Sequence, residues 1–294
     1  MLRGQWQTLP RDGVSRGGGI VTLDDVGVLT FTGPDVVSFL QGYLTADTEL
    51  MTEDPQFTAV CNIKGRTVCT GYAWRDEQTL TLVLDQSLCQ PLLDFLQPYL
   101  AFSRTQATDA TATTLVFGTL DTEIDSNAHG RALDQHRRLI LTGDLTRAEA
   151  LWSEHAHLEA DRWRAFAIAR REVWLNARTS AVFLPQMLAL DELGAVSFDK
   201  GCYLGQEVVA RAQHRGKVKR TLTSLTWTGA VPSIGSELTG SDARSAGTLV
   251  ATTRSPDQGL ALAVLGGNHP DSLQGESNTV FTVQSPIPST TAEC

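Results

Sequence analysis

Apolar and polar positions alternate along Ile20 to Thr32, with a turn signal at Asp24-Asp25 between two short runs. A period of two is the mark of a half-buried strand, so this stretch predicts two short strands. Gly33-Pro34-Asp35 then opens a helix, because proline suits the first helical position and aspartate suits the positive end of the dipole. Val36, Val37, Phe39, Leu40 and Leu44 supply its apolar face. Phe57 to Val68 reads as two strands joined at Lys64-Gly65. Thr79 to Leu84 is a further strand, and Ser87 to Leu100 a helix that Pro91 starts or interrupts. Leu115 to Gly118 and Arg138 to Thr142 read as strands around a looped stretch from Asp121 to Gln135. Leu145 to Arg171 carries one amphipathic helical pattern through Ala148, Leu151, Trp152, Leu158, Trp163, Phe166 and Ile168. His155 and His157 fall two apart within it, which on a helix points them away from each other and disfavours a metal pair.

Beyond Arg220 the texture changes. Leu222 to Thr228, Gly247 to Arg254, Leu260 to Leu265 and Thr279 to Val283 are short Thr- and Val-rich runs between Gly, Pro, Ser and Asp. That is the pattern of a small all-β unit, a barrel or sandwich. Met1 to Gly19 reads as a loose polar leader and Ser285 to Cys294 as a frayed tail.

At 294 residues the chain is long enough for two or three compact units, and 41% apolar with 19% charged content is that of an ordinary globular protein. No apolar run is long enough to span a bilayer, and the leader lacks the apolar core of a secretory signal. The five cysteines at 61, 69, 89, 202 and 294 contain no CxxC pair, which argues against a disulfide framework or a zinc site and for reduced thiols in the cytoplasm. Cys61 and Cys69, flanking the Lys-Gly turn, read as core residues.

One stretch inverts the sign of an otherwise acidic chain. The net charge is −9, yet Lys200 to Arg220 holds six basic residues (Lys200, Arg211, Arg215, Lys217, Lys219, Arg220) against Glu207. Within it, Lys200-Gly201-Cys202-Tyr203-Leu204-Gly205-Gln206-Glu207 predicts a tight turn delivering a thiol to the start of a helix over Gln206 to Gln213. Gly201 and Gly205 permit positive φ and close backbone approach. The helix dipole and Lys200 favour the thiolate of Cys202.

This octapeptide resembles the Lys-Gly-Cys-Tyr-x-Gly-Gln-Glu signature of the YgfZ family, folate-binding proteins of the wider aminomethyltransferase (glycine cleavage T-protein) superfamily. Phe31 to Asp47 is similar to the opening block of that family, Phe57 to Val68 to its second block, and Phe183-Leu184-Pro185-Gln186 with Leu190 to Phe198 to its approach to the signature. The resemblance implies an α+β, aminomethyltransferase-like multi-domain fold. On that resemblance residues 1–50 with 140–215 would form a discontinuous first domain, 51–139 a ferredoxin-like insertion, and 216–294 a small C-terminal β-barrel. It implies a tetrahydrofolate cofactor held by Trp163, Gln186 and Arg211. It also implies a role with iron–sulfur enzymes and tRNA-modifying enzymes, in which Cys202 is the essential thiol. Lys200 would tune that thiol, Gly201 and Gly205 shape its turn, Tyr203 belongs to the motif, and Gln206 with Glu207 hold the thiol by hydrogen bonds.

Two positions depart from the superfamily pattern. The aspartate pair that aminomethyltransferases carry after the second-block turn falls on Cys69 and Thr70 here, so neither charge stabilisation nor proton transfer runs as in those enzymes. A Glu-Ala-Gly step placed six residues after the tryptophan reads Ala169-Arg170-Arg171, followed by Glu172 as the substitute carboxylate if the register shifts. The readings that compete with a folate-dependent accessory factor are a folate-dependent one-carbon transferase or demethylase, and a tRNA- or protein-binding adaptor that uses Arg211 to Arg220 without folate.

Overall fold

The computed structural model describes residues 2–6, 17–122, 130–215 and 218–284. Residues 7–16 of the leader, 123–129 of the looped stretch, Lys217 of the basic run and the tail 285–294 with Cys294 lie outside them. In chain order the elements are α1 (Leu2–Trp6), β1 (Gly19–Thr22), β2 (Val26–Thr32), α2 (Val36–Gln41), β3 (Gln56–Cys61), β4 (Thr67–Asp76), β5 (Thr79–Asp85) and α3 (Cys89–Leu100). There follow β6 (Gln106–Asp109), β7 (Leu115–Leu120), β8 (Arg131–Ala132), β9 (Arg137–Thr142), α4 (Leu145–Glu154), α5 (Ala160–Ala169) and α6 (Gln206–Arg215). The chain ends in β10 (Arg220–Gly229), β11 (Glu237–Thr239), β12 (Ser245–Thr252), β13 (Asp257–Gly266), β14 (Ser272–Gln274) and β15 (Val280–Val283). No helix among the described residues is long and apolar enough to cross a membrane.

The architecture is α+β. Five antiparallel strands run in the order β3-β4-β5-β2-β6, four run β1-β7-β9-β8, and the last six strands close into a barrel ordered β10-β13-β12-β11-β14-β15. β1 and β2 follow each other in sequence but enter different sheets: β1 pairs with β7, and β2 lies between β5 and β6.

The barrel explains why Leu260 to Leu265 reads as an unbroken apolar run. Ala261, Ala263 and Leu265 fill the barrel interior with Trp227, Leu249 and Phe281. Leu262 and Val264, on the opposite face, join the main core together with Leu222 and Val250. A strand buried on both faces loses its alternation.

The N-terminal segment corrects the expectation of a loose leader. Trp6 is buried edge-on against Phe117 and Trp152, at 5.1 and 5.5 Å between ring centres. Arg3 donates to the carbonyls of Thr114, Asp24 and Val26. One large aromatic and one five-donor fork order five residues that carry no helical periodicity.

The helical stretch from Leu145 is two helices. Between them Ile20 N donates to Ala156 O at 2.7 Å and Leu158 N to Ile20 O at 2.8 Å, so residues 156–158 run beside β1 instead of continuing the helix. His155 and His157 therefore lie off the helix, donating to the carbonyls of Leu151 and Trp152. Asp35 takes the N-cap of α2, so Pro34 precedes the helix instead of occupying its first position. The Asp35 carboxylate makes no cap bond to α2 but accepts from Arg104 through Nη2 at 2.7 Å and Nε at 3.1 Å.

Candidate functional site

The signature loop is built against the first two blocks of the chain. Ser197 N donates to Thr45 O and Leu204 N to Gly42 O, both at 2.9 Å. Gly205 has φ +83°, and a Cβ there would stand 2.2 Å from Asn62 O. Its partner across the contact is Gly65 at φ +67°, packed on Val208. No side chain fits either position, and together they let the Lys-Gly turn and the start of α6 touch. Gly201 differs from the expectation: its φ is not positive and open space faces it. Only Gly205 of the motif glycines carries the conformational demand.

Lys200 is buried, and its Nζ donates to Leu44 O at 2.7 Å and Ala46 O at 2.8 Å, 5.3 Å from the centre of the Tyr203 ring. Burial lowers its pKa from 10.5 to about 8. The ammonium thus ties the loop to the chain after α2. Tyr203 is buried with a hydroxyl that has no partner among the described residues, and burial raises its phenol above the ordinary range.

Cys202 lies at the surface, four residues ahead of α6. Among the described residues neither Gln206 nor Glu207 makes a side-chain hydrogen bond; Glu207 instead occupies the first turn of α6, where a negative charge suits the dipole. Gln186 braces that helix, its Nε2 donating to Val209 O at 2.9 Å and Gln213 Oε1 at 3.3 Å. Arg211 is exposed on α6.

A separate cleft opens where α5, the ends of β2 and β5, the chain after α5 and the barrel converge. Trp163, Trp174, Asp25, Asp85, Glu172 and Asn176 are among its lining residues, and Ile234, Ala251, Thr252 and Arg254 close it from the barrel side. Of the residues the sequence offered for folate, Trp163 and the substitute carboxylate Glu172 line this cleft; Gln186, Arg211 and the signature loop are grouped around α6. Trp163 is held against Gly118, where a Cβ would stand 2.6 Å from the indole, and beneath Arg137 at 5.5 Å. Arg164 and Arg254 stand where the cleft meets a second concavity lined by Trp152 and His157, which stack at 3.8 Å.

The chemistry of the two departures is visible in the packing. Thr70 is buried, donating to Val173 O at 2.6 Å and accepting from Leu175 N at 2.9 Å. It fixes the segment that carries Trp174 into the cleft. Cys69 is buried beside it, its thiol pushed up to about 12 by desolvation. Glu172 is buried and bound on both oxygens by Arg137, at 2.5 and 2.9 Å. Arg171, preceding it, has φ +62° at the end of α5, a left-handed position that favours glycine.

Sequence reasoning missed Trp174, Asp85, Asn176 and the barrel residues of the cleft. Trp174 alone offered a signal, an indole close behind the helix that carries Trp163.

No family model matches the chain. It is similar to the tRNA-modifying protein YgfZ of Escherichia coli (strain UMN026) and of Shigella dysenteriae serotype 1 (strain Sd197). Each is 31% identical over 298 residues, covering 89% of this chain and 90% of the relative. Among solved structures it is similar to the glycine cleavage system aminomethyltransferase T from Bartonella henselae. The TM-score is 0.72 at 13% identity, over 93% of this chain and 86% of the other, a likeness of fold alone.

Proposed function

The chain belongs to the YgfZ family, and from that premise we propose that it is a cytoplasmic, tetrahydrofolate-binding accessory factor for tRNA modification. In this reading it maintains the iron–sulfur enzymes on which tRNA thiolation depends, and Cys202 is its essential thiol. The observation that carries the folate reading is the pair of indoles, Trp163 and Trp174, lining one cleft with carboxylate, amide and guanidinium groups around them. A reduced folate asks for this set: a slot for a flat ring, polar partners for its edge and cations near its acidic tail. Trp163 and Trp174 would hold the ring, and Arg164 and Arg254, shared with the neighbouring concavity, would meet the acidic tail. Tetrahydrofolate supplies a one-carbon carrier when bound; the protein's own part is to bind it in the cleft that the barrel walls on one side.

Aminomethyl transfer is the weaker reading. At the two positions where aminomethyltransferases carry aspartates, the Thr70 hydroxyl is committed to two backbone groups and the Cys69 thiol is protonated at neutral pH. Neither takes or gives a proton during a reaction.

Replacing Cys202 with alanine is expected to abolish tRNA thiolation in a strain dependent on this protein. The melting temperature should stay within about 2 °C, because the side chain is exposed and surface substitutions change stability by about 0.5 kcal/mol or less. Thiolation at wild-type level in the C202A strain would remove the thiol from the function.

A further inference from the structure

Three carboxylates line the cleft, and two of them already face guanidinium groups. Asp25 lies 2.7 Å from Arg164 and 3.6 Å from Arg254. Glu172 is held on both oxygens by Arg137. Asp85 is different. Its Oδ1 accepts from Ser87 N at 3.0 Å and Ser87 Oγ at 2.5 Å, and its second oxygen makes no hydrogen bond or ion pair among the described residues.

Asn176 stands beside it with the complementary group. Its Oδ1 accepts from Arg178 N at 3.0 Å and Thr179 Oγ1 at 3.2 Å. A backbone N–H can only donate, so the amide oxygen is fixed there, and the NH2 group is the end left without a partner among the described residues. Ser87 joins the two: its Oγ accepts from Ala177 N at 3.0 Å while donating to Asp85. One hydroxyl thus clamps the end of β5 to the chain next to Asn176. The cleft carries an unused acceptor and an unused donor in a fixed relation, in the same lining as the two indoles.

We infer that Asp85 and Asn176 read the polar edge of the cleft's ligand, Asp85 accepting from its N–H donors and Asn176 donating to a ring nitrogen or carbonyl. The ligand class is a flat heterocycle with an amino group beside a ring N–H and a carbonyl, as on the pyrimidinone edge of a pterin. This rests on the folate reading of the cleft and assigns the ring's orientation within it. It also resolves the displaced carboxylate of the sequence: with Ala169 at the step where relatives carry glutamate, and Glu172 bound to Arg137, the pairing passes to a residue from another strand. Burial raises the Asp85 carboxyl above its ordinary range, and a more basic carboxylate is a stronger acceptor.

The test is titration calorimetry on the full chain with two probes, folinic acid and the analogue whose 2-amino group is replaced by methyl, run on wild type and Asp85→Asn. Asparagine keeps an oxygen for the Ser87 N–H and hydroxyl and turns the free acceptor oxygen into an NH2 donor, so the variant is expected to fold and melt close to wild type while losing the acceptor the ligand needs. Wild type should prefer folinic acid by on the order of 10- to 100-fold, the worth of a hydrogen bond to a charged acceptor. In D85N folinic acid should weaken by that factor, the analogue should move less than about threefold, and the preference should vanish. A binding-competent D85N that keeps the preference overturns the role of Asp85 and leaves the folate reading standing. Wild type that binds neither probe overturns the folate reading and this inference with it.

Discussion

Replacing Arg137 with methionine is expected to destabilise the protein by about 3–5 kcal/mol, the cost of leaving a buried charge without its partner. Arg137 is 1% exposed and Glu172 5%. The guanidinium binds both Glu172 oxygens, donates through Nε to Asp134 at 2.8 Å and through Nη2 to the Tyr72 hydroxyl at 3.3 Å, and lies over Trp163. Methionine fills much of the volume but supplies none of the donors. Arg170, 3.3 Å from Asp134 and 3.4 Å from Glu172 but half exposed, compensates only part of the loss. Urea denaturation of R137M, and of R137M combined with Glu172→Leu, separates the lost attraction from the stranded charge. The double variant should recover more than half of the loss, because a buried pair exchanged for apolar groups is often near neutral. A double variant as unstable as R137M would mean that packing around Trp163, not charge, sets the cost.

The second large effect is alkaline instability. Cys61 and Cys69 are buried, and desolvation pushes their thiols from 9.0 up to about 12; the Cys89 thiol is pushed up to about 11. A group whose pKa is raised on folding stabilises fully below its unfolded value and loses that contribution as pH rises towards the folded value. The window therefore opens at pH 9. Lys200 works the other way: lowered on folding from 10.5 to about 8, it gains the folded state stability over that range. Three thiols against one ammonium leave the folded state with an excess of bound protons that grows from under one at pH 9, where the unfolded thiols are half ionised, to about two at pH 10. Stability should then fall by roughly 2 kcal/mol between pH 9 and pH 10, at about 1.4 kcal/mol per proton and pH unit. Tyr72 and Tyr203, also raised by burial, steepen the fall above pH 10. Urea midpoints under reducing conditions at pH 8, 9 and 10 measure it, and Cys61→Ala should make the slope shallower. With Lys200 alone acting the midpoint would rise over this range, so a midpoint that rises from pH 9 to pH 10 would mean that these thiols ionise in the folded protein as readily as in the unfolded chain.

Much of the layout was legible because its strands keep a period of two or, as in Leu260 to Leu265, bury both faces. The misses share a physical origin. β6, β11 and β14 are three or four residues long, too short to show a period, and tertiary pairing alone makes them strands. The break after Glu154 came from β1, whose edge recruits residues 156–158 across more than a hundred positions of sequence. Trp6 looked like part of a polar leader because the pocket that receives it is made by Phe117 and Trp152.

The site divides in the same way. The signature loop is local: Gly205 and the start of α6 lie within eight residues of Lys200. Even there the direction of Lys200 depended on the carbonyls of Leu44 and Ala46, some 150 positions away. The cleft is not local at all. Asp85 comes from the end of β5, Trp163 from α5, Asn176 from the following loop, and Thr252 from the barrel, so no short window holds the pattern.

The central claim is that the cleft beneath the barrel binds a reduced folate against Trp163. Tryptophan-fluorescence titration with tetrahydrofolate, on wild type and Trp163→Phe, tests it most directly. The account predicts saturable quenching in wild type and an affinity weakened about 3- to 10-fold in the variant, as loss of the larger stacking surface requires. Fluorescence that does not saturate in wild type, or an affinity untouched in the variant, would contradict it.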